Sequence, residues 1–126
     1  MIYTVTEYQH LAQRTSKYAP GQKIEADPKL VNGIIGLNGE AGEVADILKK
    51  HLFQGHELNR EKLIDELGDV LWYIAETAEA LGVSLETIME HNIDKLRTRY
   101  PEGFNSDRSI NRPEYTERCE SGLTDE

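Results

Sequence analysis

"LNGEAGEVADILKKHL", residues 37–52, reads as an amphipathic helix with one defect. Leu37, Ala41, Val44, Leu48 and Leu52 recur at intervals of three and four, which gathers them into a single apolar stripe. Glu40 and Glu43 stand at the border of that stripe, three residues apart, and so point to one side of the helix. Gly42 sits between them, although glycine in a helix interior costs roughly 1 kcal/mol relative to alanine. The arrangement returns in "DELGDV", residues 65–70, where Glu66, Gly68 and Asp69 repeat it beside a second stripe of Leu63, Leu67, Val70, Ile74 and Leu81. A defect kept twice in the same register needs a reason.

Working outward, the first of these helices is expected to run from Leu30 to Leu52. "FQGHELN" is the turn after it, and Asn59 caps the next helix, with Glu61 in its first turn. Two helices of similar length joined by a short turn pack antiparallel. Before them, "TVTEYQHLAQRTSKY" offers a short helix with Thr6 as cap, ended by the two prolines and glycine of "APGQKIEADPK". After them, Ser84 caps a helix over "LETIMEHNIDKLRTRY", and Pro101 stops it. The expected fold is all-α, a four-helix-type bundle with antiparallel central helices. Residues 1–105 form its domain, and residues 106–126 form a polar, flexible tail.

At 126 residues the chain holds one core rather than two. Only two Phe and one Trp among 38% hydrophobic residues favour a modest helical core over a sandwich or barrel. The net charge of −9 argues against a nucleic-acid polymer or an anionic membrane as partner. Cys119 is a lone cysteine in the polar tail, so neither a disulfide framework nor a cysteine metal cluster is expected. No basic, then apolar, leader opens the sequence, and no stretch approaches a membrane span. A soluble, cytoplasmic protein is the expectation.

If the two helices pack through their matching stripes, Glu40, Glu43, Glu66 and Asp69 face one cleft. Four carboxylates in a partly desolvated cleft repel one another, and a divalent cation relieves that repulsion. Carboxylates with open water positions suit Mg²⁺, with Mn²⁺ as a substitute, and leave room for phosphate oxygens. Gly42 and Gly68 would then let the helices approach closely or leave space for metal and substrate. One acid pair alone is ordinarily a solvated face; two pairs in matching register are not explained by solvation. A di-iron bundle would need Glu-x-x-His pairs, which neither segment contains, and His10, His51, His56 and His91 have no ligand spacing.

A second patch lies in "NIDKLRTRYP", residues 92–101, where Asn92, Lys95 and Arg99 share one helix face and can donate to phosphate oxygens. An amphipathic helix with a cationic last turn is the plainer alternative. Lys49 and Lys50 follow the first acid pair and can meet the same substrate or solvent. Tyr73 falls nearly in line with Glu66 and Asp69, whereas Trp72 points elsewhere, toward a possible subunit interface.

Together, "GEAGEVADILKK", the 22-residue spacer from Glu43 to "ELGDVLWYI", and "NIDKLRTRYPEGF" resemble the MazG-like nucleotide pyrophosphohydrolases of the all-α NTP pyrophosphatase superfamily. The resemblance covers roughly residues 30–105. It implies hydrolysis of a nucleoside triphosphate between the α and β phosphates, with Mg²⁺ held by Glu40, Glu43, Glu66 and Asp69. It assigns Lys95 and Arg99 to phosphates, Asn92 to orienting substrate or metal, and Tyr73 to the nucleoside. It further implies a homodimer or a homotetramer built as a dimer of dimers, and a role in nucleotide-pool control. Within the same superfamily, dUTP or dCTP hydrolysis and phosphoribosyl-ATP hydrolysis remain open, as does a non-catalytic helical adaptor with a structural metal site.

Overall fold

A computed structural model of the chain describes residues 2–17 and 27–112. These residues form five helices and no strand: α1 (Val5–Gln13), α2 (Pro28–Phe53), α3 (Arg60–Leu81), α4 (Leu85–Arg99) and α5 (Ser106–Ile110). The fold is all-α, as expected, and divides into two compact units, Met1–Leu85 and Glu86–Glu126. Cys119 and the tail beyond residue 112 lie outside the described residues.

In the first unit, α1 is capped by Thr4 rather than Thr6. The Thr4 hydroxyl accepts from the Glu7 N–H at 3.2 Å, and the Glu7 carboxylate accepts from the Thr4 N–H at 2.8 Å, which closes a capping box. These bonds hold the Glu7 carboxyl below its usual range. Gln9, which would complete the same box on Thr6, is turned toward α3 instead. Its amide donates to the Glu79 carboxylate and the Val83 carbonyl, both at 3.2 Å, and accepts from the Leu85 N–H at 2.9 Å.

Helix α2 begins two residues before the expected Leu30. Asp27 accepts from the Lys29 N–H at 2.9 Å, and Pro28 supplies the fixed φ that suits a first helical position. Asn59 caps α3 as the sequence indicates, accepting from the Lys62 N–H at 2.9 Å. Gly82 ends α3 in the left-handed conformation, φ 68°, with its N–H on the carbonyls of Ala78 and Glu79.

Helices α2 and α3 pack antiparallel. Glu40 stands opposite Glu66 and Asp69, Gly36 opposite Tyr73, Gly33 opposite Thr77, and Lys29 opposite Glu76. The close approach is made at Gly33 and Gly36. A Cβ on Gly36 would overlap the Tyr73 ring, and one on Gly33 would overlap the Thr77 hydroxyl and meet its backbone N at 3.2 Å. Gly42 and Gly68 have open space where a side chain would be, so of the two expected roles they provide room and not a close approach of the helices.

Lys29 and Glu76 form a salt bridge of 2.9 Å with both side chains buried. The Lys29 ammonium also donates to Gln13 Oε1 at 2.7 Å and to Ser16 Oγ at 2.8 Å, and Ser16 donates to the other Glu76 oxygen at 2.9 Å. A buried pair satisfied this fully is dangerous to break, because removing one partner strands the other charge and costs about 3–5 kcal/mol. Beside it, fully buried Ala75 and Ala78 give α1 room to pack on α3 through Val5, Tyr8 and Ala12. Trp72 fastens the end of α1, its indole N–H donating to the Ala12 carbonyl at 3.2 Å and to Thr15 Oγ1 at 2.8 Å.

The apolar stripes are less covered than their periodicity suggests: Leu48, Leu52 and Leu67 are 49%, 59% and 51% exposed. The cause is length. Nine-residue α1 spans about 14 Å, and its hydrogen bonds to α3 fall on the half from Trp72 to Glu79.

In the second unit, α4 ends at Arg99, just before Tyr100 and Pro101. Helix α5 follows where the sequence shows no regular element. Asn105 caps it, accepting from the Arg108 N–H at 3.1 Å, while the Arg108 guanidinium donates to the Thr98 and Arg99 carbonyls at 3.4 Å each. Five residues are too few for a periodic signal.

Candidate active site

Glu40 from α2 and Glu66 and Asp69 from α3 converge. One carboxylate oxygen from each lies within 4.8 Å of the others, an arrangement able to hold a metal ion. The antiparallel register creates this meeting, and the i, i+3 spacing on α3 brings two acids to it from one helix. Partial burial and then the charges of Asp69, Glu66 and Glu43, in that order, push the Glu40 carboxyl above its usual range. The electrostatic influences on it are all other carboxylates. Among the described residues no histidine joins this group.

The remaining residues singled out from the sequence are placed as follows. Glu43 is exposed, one turn beyond Glu40, and lies outside the three-carboxylate group. Lys50 pairs with Asp46 at 2.5 Å, and Lys49 pairs with the same carboxylate at 2.6 Å. Hydrogen bonds from the two lysines hold Asp46 down to about 2, and the Asp46 bond raises Lys50, so Lys50 stays cationic two turns from Glu43. Tyr73 is half-buried, on the rung next to Glu40 and Asp69, and its ring meets Trp72 edge-on at 4.9 Å. Asn92, Lys95 and Arg99 lie along α4 in the second unit; the first two are exposed and Arg99 is half-buried, 5.8 Å from the Tyr100 ring centre.

The family profile of the MazG nucleotide pyrophosphohydrolase domain matches residues 33–104, more than half of the chain, and includes all three converging carboxylates. The chain belongs to this family. Among curated proteins, the "Gene 37 protein" of Mycobacterium phage L5 is 38% identical over 100 residues, covering 76% of this chain and 88% of the phage protein. "Uncharacterized protein YvdC" of Bacillus subtilis (strain 168) is 44% identical over 41 residues, 32% of this chain and 39% of its own length. No solved structure matches significantly.

The MazG match begins after α1. Burial and, second, the charge of Asp69 push the Tyr8 phenol up, so Tyr8 lies within the electrostatic reach of the site. Sequence reading passed over Tyr8 because its place in the α1 stripe reads as ordinary core. Within the chain, the Trp72 indole holds the end of α1. A tryptophan N–H that must be satisfied when covered was the available clue.

Proposed function

We propose that this MazG-family protein is a metal-dependent nucleoside triphosphate pyrophosphohydrolase, cleaving between the α and β phosphates to give a nucleoside monophosphate and pyrophosphate. The convergence of Glu40, Glu66 and Asp69 carries this reading, because three mutually repelling carboxylates at the mouth of a helix pair are explained by a cation that binds them. When bound, Mg²⁺ or Mn²⁺ polarises phosphate oxygens, offsets developing charge and makes a coordinated water more acidic.

The chain's own residues do the rest. Glu40, Glu66 and Asp69 hold the ion. Glu43, exposed and outside that group, is the acid best placed to take the proton of the attacking water, either alone or while also touching metal. The water oxygen bonds to the α phosphorus, the α–β bridging bond breaks, and pyrophosphate departs. Lys50 adds fixed positive charge, and the family resemblance rather than any contact between the two units assigns Lys95 and Arg99 to phosphate oxygens and Asn92 to orienting them. Tyr73 meets the nucleoside.

The half-exposed Leu48, Leu52 and Leu67 support assembly into a homodimer or a dimer of dimers, which would cover them. No described helix is long and apolar enough to cross a membrane, consistent with work on cytoplasmic nucleotide pools.

The test is to incubate the protein with each ribo- and deoxyribonucleoside triphosphate, with and without Mg²⁺, and separate products by anion exchange. Monophosphate plus pyrophosphate, formed only with metal, is expected. Diphosphate plus phosphate would refute α–β cleavage, and absence of turnover with every nucleotide would refute the proposed substrate class.

A further inference from the structure

The Tyr73 ring is confined on several sides. Beneath it lies Gly36, where a Cβ would overlap Cδ1, Cε1 and Cζ of the ring. At its edge stands Trp72, with ring planes 82° apart, and Trp72 is itself tied to Ala12 and Thr15 of the α1 end. On the next turn of α3, the Thr77 hydroxyl donates to the Tyr73 carbonyl at 2.8 Å and fills the space left by Gly33. The ring therefore has no room to accept a methyl group at residue 36 except by moving off α2.

We propose that Gly36 is a positioning residue for the nucleoside part of the substrate: lacking a side chain, it seats the Tyr73 ring against the α2 backbone on the rung beside Glu40 and Asp69. This rests on the reading that Tyr73 meets the nucleoside. Seated in this way, the ring holds the nucleoside at a fixed offset from the carboxylates that gather the phosphates. Residue 36 thus governs how well a nucleotide is held, while the groups that act on the phosphate bond are left in place. A glycine in a helix interior is otherwise a conformational cost, and here it is matched to one particular ring.

The experiment compares Gly36→Ala, Gly33→Ala and the double variant Gly36→Ala/Tyr73→Leu with the wild type, using steady-state hydrolysis of the best triphosphate together with Trp72 emission. Displacing an aromatic surface from a base or sugar should raise KM about fivefold to tenfold in Gly36→Ala, with kcat nearly unchanged. Trp72 is the only tryptophan, so its emission should shift in Gly36→Ala whether or not nucleotide is present. Gly33→Ala faces Thr77 instead, and should lose stability without the change in KM. The double variant should recover the melting temperature of the wild type while keeping the raised KM, which also covers the case in which Gly36→Ala alone folds poorly. An unchanged KM in both Gly36 variants of an active enzyme overturns the inference alone, as does a rise in KM shared equally by Gly33→Ala. A wild type that neither hydrolyses nor binds any nucleotide overturns the functional reading and this inference with it.

Discussion

At the Lys29 end of the α2–α3 pair, an ammonium and a carboxylate are buried together and every polar atom of both is bonded; about three helical turns away, three carboxylates face one another and the glycines nearby stand in open space. The same two helices thus carry a closed end, where charge is cancelled inside the protein, and an open end, where it is not. Ionisable residues at the closed end act on stability. Those at the open end are left for something outside the chain to satisfy.

The sharpest way to break this contrast is to substitute at both ends. Asp69→Ala and Glu40→Ala are expected to lower turnover by about a thousandfold or more, with circular dichroism and melting temperature close to wild type. Loss of helicity in both would show that the open end also holds up the fold. Lys29→Met should do the reverse, costing about 3–5 kcal/mol in urea unfolding by leaving Glu76 buried without its partner. An unchanged unfolding midpoint would mean the closed end is not closed.

Metal should act on one end alone. Glu40 holds its proton more tightly folded than unfolded, because its carboxyl is pushed above the usual range by partial burial and by its acidic neighbours. That contribution favours the fold at low pH and is lost as pH rises through the raised value, where the carboxylates repel. Added Mg²⁺ should therefore raise the melting temperature at pH 8 and leave it unchanged at pH 4. Equal stabilisation at both values would place the metal elsewhere.

The smallest effect sharpens the comparison most finely. Gly42→Ala and Gly68→Ala, measured by chemical denaturation, should each stabilise the fold by about 0.5–1 kcal/mol, since nothing stands where their side chains would go. Destabilisation at either position would mean that a second copy of the chain covers the open end.

The open end was the more legible of the two. Two acid pairs in matching register along two apolar stripes were enough to bring Glu40 to Glu66 and Asp69, because helical spacing fixes which residues share a face. The closed end was not legible. Lys29 and Glu76 are 47 residues apart and nothing local marks either as buried. The cap of α1 was placed at Thr6 and stands at Thr4 for a related reason: both threonines have a capping-box partner three residues on, Glu7 and Gln9, and Gln9 is bonded instead to Glu79, Val83 and Leu85. The glycines were legible only as a choice between close helix approach and open room, and at Gly42 and Gly68 the space is open. Periodicity shows that Gly42 interrupts a helix, but not whether another helix lies against it, and the close contacts fell to Gly33 and Gly36.

The most direct test of the open end is titration of Mn²⁺ followed by electron paramagnetic resonance, with Mg²⁺ as competitor, in the wild type, Glu40→Gln, Asp69→Asn and Lys29→Met. Bound Mn²⁺ in the wild type, displaced by Mg²⁺, lost in Glu40→Gln and Asp69→Asn but retained in whatever fraction of Lys29→Met is folded, is the expected result. Undiminished Mn²⁺ binding in both carboxylate variants would contradict the assignment of the cation to Glu40, Glu66 and Asp69.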